Sequence, residues 1–572
     1  MSTHVGGRME TVTPTRVTDH SDRIRLAGLV LISLLLHAWL ISNSAMTARD
    51  SLGFAQLAIN LAKPNDGKPP LIVGDAESEA IPRTLPAVLK HAKQPPGYPA
   101  TIYATYFLLK RLDPPADPNR ISQNQLLLAA QIAAAGAMVL AVFPMYWLGR
   151  MLLDKNRGFA AVLIFQFLPV AARDTSDGLS EGLYFLGLSS AIALGVAGVR
   201  KQSIGRFLLC GMASGLTYMV RPEGLAVTVG ALLLLLGLAA LNWRPRANML
   251  ACAAALLAGT GVAAAPYMVL IGGLTNKPSG KQVIDGTPSP GPVRPGFGAQ
   301  ADAGPLFAEI NTDSDRGSSL QKAAAAGATM AREYFRTSQY AVGILGILGL
   351  FTMRNRFRTQ PEWLLPLATA CIQLAALARV AYSQGYASER HLLTATFVAT
   401  YLAMAGLEPL FAWFARWPVV GSFYRSLAAL WVWVLVLVGI CIPSLVKPLH
   451  QNRIGFKEAG EFLAAELRPE DRLSDPYEWS QYYAGRTLYS PPSSDPRFVE
   501  YAVLRNDGDT EDKRLNQPLV EQARRVAADP LSKQVWPVDG SGEPDSNARI
   551  KVFRFDNRRI LGAVIGGTSH RW

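Results

Sequence analysis

Long apolar segments alternate with short polar segments along most of this 572-residue chain. Runs such as 26–41 and 429–446 carry no acidic or basic side chain other than histidine and approach the roughly 20 residues that an α-helix needs to cross a bilayer. The pattern predicts eleven transmembrane helices in the sequence. They lie at about 26–45, 124–148, 158–172, 180–199, 204–221, 223–241, 248–271, 338–353, 363–381, 391–413 and 427–446.

The composition supports an α-helical polytopic membrane protein. Hydrophobic residues make up 49% of the chain and charged residues 17%, whereas soluble domains average about 25% charged. The formal charge of +13 does not call for a nucleic-acid partner, because basic residues kept on the cytoplasmic side of a membrane give the same excess. The cysteines all lie in or beside apolar segments, so we expect no disulfide.

The distribution of basic residues predicts the topology. The N-terminal tail, 1–25, carries several arginines and should be cytoplasmic. It has no cleavage pattern, so we expect the first helix to remain as an anchor in the cytoplasmic membrane. Every second short connection is also basic, and these are 149–158, 199–206, 242–248, 353–360 and 415–425. The remaining connections of the transmembrane domain, 26–446, should therefore lie on the extracytoplasmic side.

Three extracytoplasmic segments are long. The loop 46–123 contains an apolar stretch, 98–112, which is too short to span comfortably and predicts a helix at the membrane interface. The loop 272–337 begins rich in glycine and proline. The segment 447–572 has an amphipathic helix followed by strand-like alternation, which predicts a small extracytoplasmic α/β domain with the C-terminus outside.

Charged clusters occur at the outer mouths of the predicted helices, where solubility alone does not require them. Asp174, Asp177 and Glu181 follow Arg173, and the spacing of Asp177 and Glu181 is that of one helical face. Other short turns supply more arginine, whose planar fork suits phosphate oxygens. The remaining candidates in these turns are Arg221, Glu223, Tyr386, Glu389, Arg390 and His391.

Two features of the first outer loop have both a structural and a functional interpretation. Asp50 lies near the start of a predicted surface helix, where a carboxylate can cap the helix or act in catalysis. When Asp50 is considered alone, the capping interpretation is favoured. The turn "KQPPGYP" either ends one helix and starts another or forms a rigid platform that directs Gln94 and Tyr98.

These motifs in this order resemble the GT-C superfamily of membrane glycosyltransferases. They are "ARD" after the first span, the Pro-Pro-Gly-Tyr-Pro turn, "SDGLSEGLY", "GLTYMVRPEGL" and "SERHLL". The branch resembled contains the protein O-mannosyltransferases and the lipid A aminoarabinose transferase. Family members often have His at position 94 and a second acid at position 51, whereas this chain has Gln94 and Ser51.

The resemblance implies transfer of a sugar from a polyprenyl-phosphate carrier to a protein, lipid or glycan acceptor, with membrane lipid as a further partner. Asp50 would be the catalytic base. Arg173, Arg221, Arg390 and His391 would bind the donor phosphate. Gln94, Tyr98, Asp174, Asp177, Glu181, Glu223, Tyr386 and Glu389 would support these groups or the acceptor.

Because the histidines are scattered, we expect no tightly bound cofactor and no transition-metal site. Dependence on a divalent metal stays an open alternative. Two other functions also stay open. One is a lipid-linked glycan polymerase or ligase. The other is a secondary transporter, which would favour charges at the membrane midplane, where the predicted spans have none.

Overall fold

A computed structural model describes residues 20–62, 71–72, 80–81, 84–114, 121–277, 319–384, 387–468, 470–486, 498–506, 517–539 and 541–556. Helices dominate these residues. All eleven predicted membrane segments are helical, and eight helices have the length and apolar character to cross a bilayer. Their bounds are His20–Ser42, Gln123–Leu152, Glu181–Lys201, Pro222–Ala240, Arg246–Ile271, Pro361–Ser383, Glu389–Phe414 and Leu427–Leu445.

Three of the predicted spans are shorter helices. Two of them are Ile204–Tyr218 and Ala341–Thr352. The third is divided into Lys155–Phe167 and Pro169–Asp174 by an extended Leu168, with φ −60° and ψ 123°. Proline disfavours the helical conformation in the residue before it, so Pro169 explains the break. Two further short helices are Arg356–Thr359 and Gly421–Tyr424, and three of the spans begin with the 3₁₀ turns Pro222–Gly224, Pro361–Trp363 and Glu389–Leu392.

The spans pack closely at small residues, as membrane helices do. Glu181–Lys201 begins directly against Gln123–Leu152, because Gly182 lies on the backbone carbonyl of Ala134. A Cβ at position 182 would overlap that oxygen. This contact fixes Glu181, one residue earlier, relative to the rest of the bundle.

The long first outer loop folds over one end of the spans. Its helices are Arg49–Ala62, Leu85–His91 and Gly97–Leu112, with an antiparallel pair of two-residue strands, β1 (Leu71–Ile72) and β2 (Ala80–Ile81). The predicted interfacial helix is present as Gly97–Leu112, and its Leu108 and Leu112 are exposed. The helix Ser319–Thr337 precedes the next span.

The predicted C-terminal α/β fold is confirmed. Four strands, β3 (Arg472–Ser474), β4 (Val499–Arg505), β5 (Lys533–Trp536) and β6 (Ile550–Asp556), form a sheet in the order β3-β4-β6-β5. The β3–β4 pair is parallel and the other two pairs are antiparallel. The accompanying helices are Gln451–Arg453, Ile454–Glu466, Trp479–Tyr483 and Gln517–Ala528.

Candidate active site

The first outer helix and the turn "SERHLL" meet at an ion pair. Asp50 is the second residue of helix Arg49–Ala62, and Arg390 lies in the turn Glu389–Leu392. The Arg390 Nη2 atom is 2.7 Å from Asp50 Oδ2, although 340 residues separate them in sequence. The side chains of Arg390 and Asp50 keep only 14% and 11% of their exposure. The hydroxyl of Ser388 caps the turn by accepting the N–H of Arg390.

Asp50 does not occupy the N-cap of its helix. The helix begins at Arg49, so the residue before it is Ala48, and the backbone N–H of Ala48 donates to Asp177 Oδ1 at 2.9 Å. The Asp50 carboxylate instead contacts a distant arginine. The structure therefore removes the N-cap role. A carboxylate in the first helical turn still interacts favourably with the helix dipole, and Asp50 adds to this its ion pair with Arg390.

A second group of charges surrounds Arg221. Its Nη1 contacts Glu181 Oε1 at 2.5 Å and its Nε lies 3.6 Å from Glu223 Oε2. Lys277 Nζ contacts the other oxygen of Glu223 at 3.1 Å. The guanidinium also lies 5.4 Å from the ring centre of Tyr184. Glu181 and Glu223 thus hold Arg221 and Lys277 in place, and both cations are nearly buried.

These groups form one electrostatic unit with the turn "SERHLL". His391 interacts with the charges of Lys277, Arg221, Arg390 and Glu223. Arg221 in turn interacts with Arg390. We call Arg221, Lys277 and Arg390 the outer cation cluster, and His391 lies among these three cations. The structure therefore brings together three of the four residues predicted to bind phosphate and adds a lysine that the sequence analysis missed.

Arg173 has a different partner. Its Nη1 donates to the carbonyl oxygen of Ser444 at 3.0 Å, near the end of the last span. Asp174 ends the short helix Pro169–Asp174. We therefore do not include Arg173 in the cluster, although its helix packs near the turn Glu389–Leu392.

Asp177 contacts the segment before the Asp50 helix and the side chain of His450. Besides accepting the N–H of Ala48, it contacts His450 Nε2 through Oδ2 at 2.7 Å. It lies in the turn before the helix that begins at Glu181. The expected common helical face of Asp177 and Glu181 is therefore wrong, because the chain turns between them.

The proline turn packs against the turn that carries Arg221. The N–H of Gly97 donates to the carbonyl of Met219 at 2.7 Å, and a Cβ at position 97 would lie 2.6 Å from that oxygen. Tyr98 is fully buried and donates its hydroxyl to the carbonyl of Ala130 at 2.8 Å. Tyr98 thus has a structural partner, while Gln94 stays half-buried in the turn.

Glu389 has partners in a helix that contributes no residue to the outer cation cluster. Glu389 contacts Arg336 Nε of helix Ser319–Thr337 at 2.8 Å, and its backbone carbonyl lies 3.5 Å from the hydroxyl of Thr337. Glu389 therefore connects that helix to the turn bearing Arg390. Tyr386 lies outside the described residues.

The C-terminal domain contributes another carboxylate that the sequence analysis missed. Arg49 Nε lies 3.6 Å from Glu478 Oε2. Burial raises the pKa of Glu478 to about 7, with Asp475 and Asp50 adding to this and Arg49 and Lys93 opposing it. Burial also lowers the pKa of Lys93. A buried acid is thus placed next to the helix start that carries Asp50.

Some of the missed residues left a weak signal in the sequence. Lys93 and Lys277 are basic residues in segments assigned to the outer face, against the general rule that such residues stay inside. Glu478 gave no such signal, because acids are common in any soluble domain. Among the described residues, no group of three His, Cys, Asp or Glu side chains is arranged to hold a metal ion.

Comparisons with known proteins agree with this architecture. Residues 120–265 match the family model described as dolichyl-phosphate-mannose-protein mannosyltransferase. That segment contains Arg221 and Glu181 but not Asp50 or Arg390. No protein with a curated description matches the chain at a significant level.

Two solved structures illustrate the similarity of fold. One is ArnT from Cupriavidus metallidurans bound to undecaprenyl phosphate, with 14% identity, a TM-score of 0.53 and coverage of 92% of this chain and 97% of that one. The other is the oligosaccharyltransferase AglB from Archaeoglobus fulgidus in complex with an inhibitory peptide and a dolichol-phosphate, with 13% identity and a TM-score of 0.52. That match covers 83% of this chain but 61% of AglB.

The chain therefore has the fold of the GT-C superfamily of membrane glycosyltransferases, as the order of its motifs indicated. It is a multi-pass membrane protein with a C-terminal α/β domain.

Proposed function

We propose that this protein transfers a glycosyl group from a polyprenyl-phosphate-linked sugar to an acceptor at the outer face of the cytoplasmic membrane. The observation that carries the proposal is the buried ion pair between Asp50 and Arg390 at the edge of the outer cation cluster. It places one carboxylate beside several cations, which are the two kinds of group that this reaction needs.

The chemistry assigns a role to each part. The acceptor hydroxyl attacks the anomeric carbon and gives its proton to Asp50. The bond from that carbon to the phosphate oxygen breaks, and its electrons leave with the lipid phosphate. The departing phosphate monoester gains negative charge, which Arg221, Lys277 and Arg390 stabilise. One displacement of this kind inverts the anomeric centre.

Arg390 has a position suited to both halves of the reaction. It contacts Asp50 through Nη2, and a guanidinium has further N–H donors that can bind phosphate oxygens. His391 follows it directly in sequence and lies near Lys277 and Arg221. We infer that Arg390 aligns the base with the leaving group, so that donor and acceptor meet next to Asp50.

The test is transfer by the purified protein. The protein in lipid vesicles is incubated with a set of radiolabelled polyprenyl-phosphate sugars, and label is followed in released and transferred products. We expect label from at least one donor to appear in an acceptor or in free sugar, with lipid phosphate as the second product. Retention of the label on every lipid donor would count against the proposal, as would release of label without cleavage at the anomeric carbon.

The proposed orientation is tested separately by cysteine labelling of intact spheroplasts. Lys90→Cys and Arg525→Cys introduce exposed thiols in the first outer loop and the C-terminal domain, and Arg354→Cys is the matched site on the opposite side. An impermeant maleimide should label the first two and spare the third. The reverse pattern would place the candidate site on the cytoplasmic side.

A further inference from the structure

The C-terminal domain holds the segment that leads into the Asp50 helix at several points. The N–H of Ala45 donates to the carbonyl of Leu449 at 3.1 Å. The indole N–H of Trp479 donates to the carbonyl of Thr47 at 3.2 Å. Together with the contact between Glu478 and Arg49, these bonds fix the backbone on the approach to Asp50.

Glu478 is held in an unusual backbone conformation. Its φ is 70° and its ψ is −21°, a left-handed region that glycine, asparagine and aspartate adopt more readily than glutamate. The turn is fixed by Asp475, whose two carboxylate oxygens accept the N–H groups of Tyr477 and Gln481, each at 2.9 Å. Residues kept in such conformations cluster at functional sites.

The side chain of Glu478 is surrounded by charges from three segments. Arg49 and Asp50 come from the first outer helix, and Lys93 comes from the proline turn. Asp475 comes from its own loop. The side chain keeps 16% of its exposure, and Asp50 itself is paired with Arg390. A negative charge on Glu478 therefore acts on Asp50 through little intervening water.

We propose that Glu478 is a positioning residue that the C-terminal domain contributes to the active site, where its negative charge holds Arg49 and so fixes the helix start that carries Asp50. This rests on the proposed function, since it assumes that Asp50 accepts the acceptor proton. It also gives the C-terminal domain a role in catalysis.

The inference predicts a specific pH dependence. Because the pKa of Glu478 is about 7, its charge is present above that pH and absent below it. When Glu478 is charged, it pairs with Arg49 and holds the start of the Asp50 helix in place. We therefore expect kcat/KM for transfer to rise through an inflection near pH 7.

The test compares Glu478→Gln with the wild type in kcat/KM measured from pH 5 to pH 9. The amide keeps the size and backbone cost of the side chain but has no charge. We expect the inflection near pH 7 to disappear and transfer at pH 8 to fall about 3- to 10-fold, as expected for a nearby but partly screened charge. Glu478→Asp, which keeps the charge and suits the backbone, should restore part of the inflection.

A matched control separates this effect from the loss of any buried acid in the domain. Glu500 of strand β4 is 8% exposed and accepts hydrogen bonds from Ser474 and Gln522. Glu500→Gln should leave the pH profile unchanged. If the wild type is active and Glu478→Gln has the same pH profile, the role of Glu478 is overturned while the proposed function stands. A wild type that transfers from no donor would overturn the proposed function, and this role with it.

Discussion

Pairs of a cation and a carboxylate occur at both ends of the bundle, and the two ends differ in the burial of the cation. Arg200 contacts Glu362 at 2.8 Å on the side predicted to be cytoplasmic, and Arg390 contacts Asp50 at 2.7 Å in the candidate site. At the end predicted to be cytoplasmic, the arginine side chains of four ion pairs between helices keep 28–48% of their exposure. The cations of the candidate site keep 11–14%.

This difference shows which charges can act on a reaction. An ion pair in contact with water is screened and contributes about 0–1 kcal/mol, so the exposed pairs mainly satisfy acids at the ends of adjacent helices. A cation held in place away from water acts strongly on charge that develops nearby.

The largest expected effect is on the base. Asp50→Asn should lower turnover about 10²- to 10⁴-fold, the usual contribution of general-base assistance, because an amide takes up no proton at neutral pH. Binding of the lipid donor should stay nearly intact. The measurement is kcat for transfer, with donor affinity determined in parallel. Glu362→Gln is the control at the exposed end, and near-normal turnover by Asp50→Asn would assign the base to another residue.

The next effect is on donor binding. Arg390→Ala should weaken it about 10- to 100-fold, since a hydrogen bond to a charged group is worth about 1.5–3 kcal/mol. Arg200→Ala removes an ion pair of the same length at the exposed end and should change donor affinity less than about threefold. Both are measured by titration with polyprenyl phosphate in vesicles. Equal losses in the two variants would show that burial is not what distinguishes the two ends.

A smaller effect is expected from the packing of the two outer turns. Gly97→Ala places a Cβ 2.6 Å from the carbonyl oxygen of Met219, so the proline turn must move away from Arg221. We expect a loss of about 1–3 kcal/mol of stability, typical of overpacking, seen as a lower Tm. Gly136→Ala is the control, because no atom lies within 4 Å of its new Cβ. A Gly97→Ala protein as stable as the control would show that the turn is loose.

The smallest effect is on the pH dependence of stability. The pKa of Glu478 is about 7 in the folded protein, above the ordinary value of about 4.3 for glutamate. The folded state therefore holds this proton to higher pH than the unfolded state, and the stability it gives is lost as pH rises from about 4 to 7. In Glu478→Gln, the decrease in Tm over that pH range should be smaller than in the wild type, by about 2 °C or less. An unchanged slope would mean that Glu478 is already ionised at low pH.

Much of the fold followed from local pattern. The positions of the helices are set by runs of apolar residues and the C-terminal strands by alternation, and both need only neighbouring residues in the sequence. Proline at 169 divides one predicted span for an equally local reason. Two helices are shorter than predicted, because hydropathy does not mark the residue at which a helix ends.

The sequence by itself also determined that Asp50, Arg221, Arg390 and His391 belong to one side of the bundle, since that follows from counting spans. Only the tertiary structure decided which of these side chains meet. It directs Arg173 to the carbonyl of Ser444, brings Lys277 to Glu223 and places Glu478 of the C-terminal domain beside Arg49. The physical reason is distance along the chain. A contact between residues hundreds of positions apart depends on how the helices pack and how each side chain is oriented, and no local pattern encodes either.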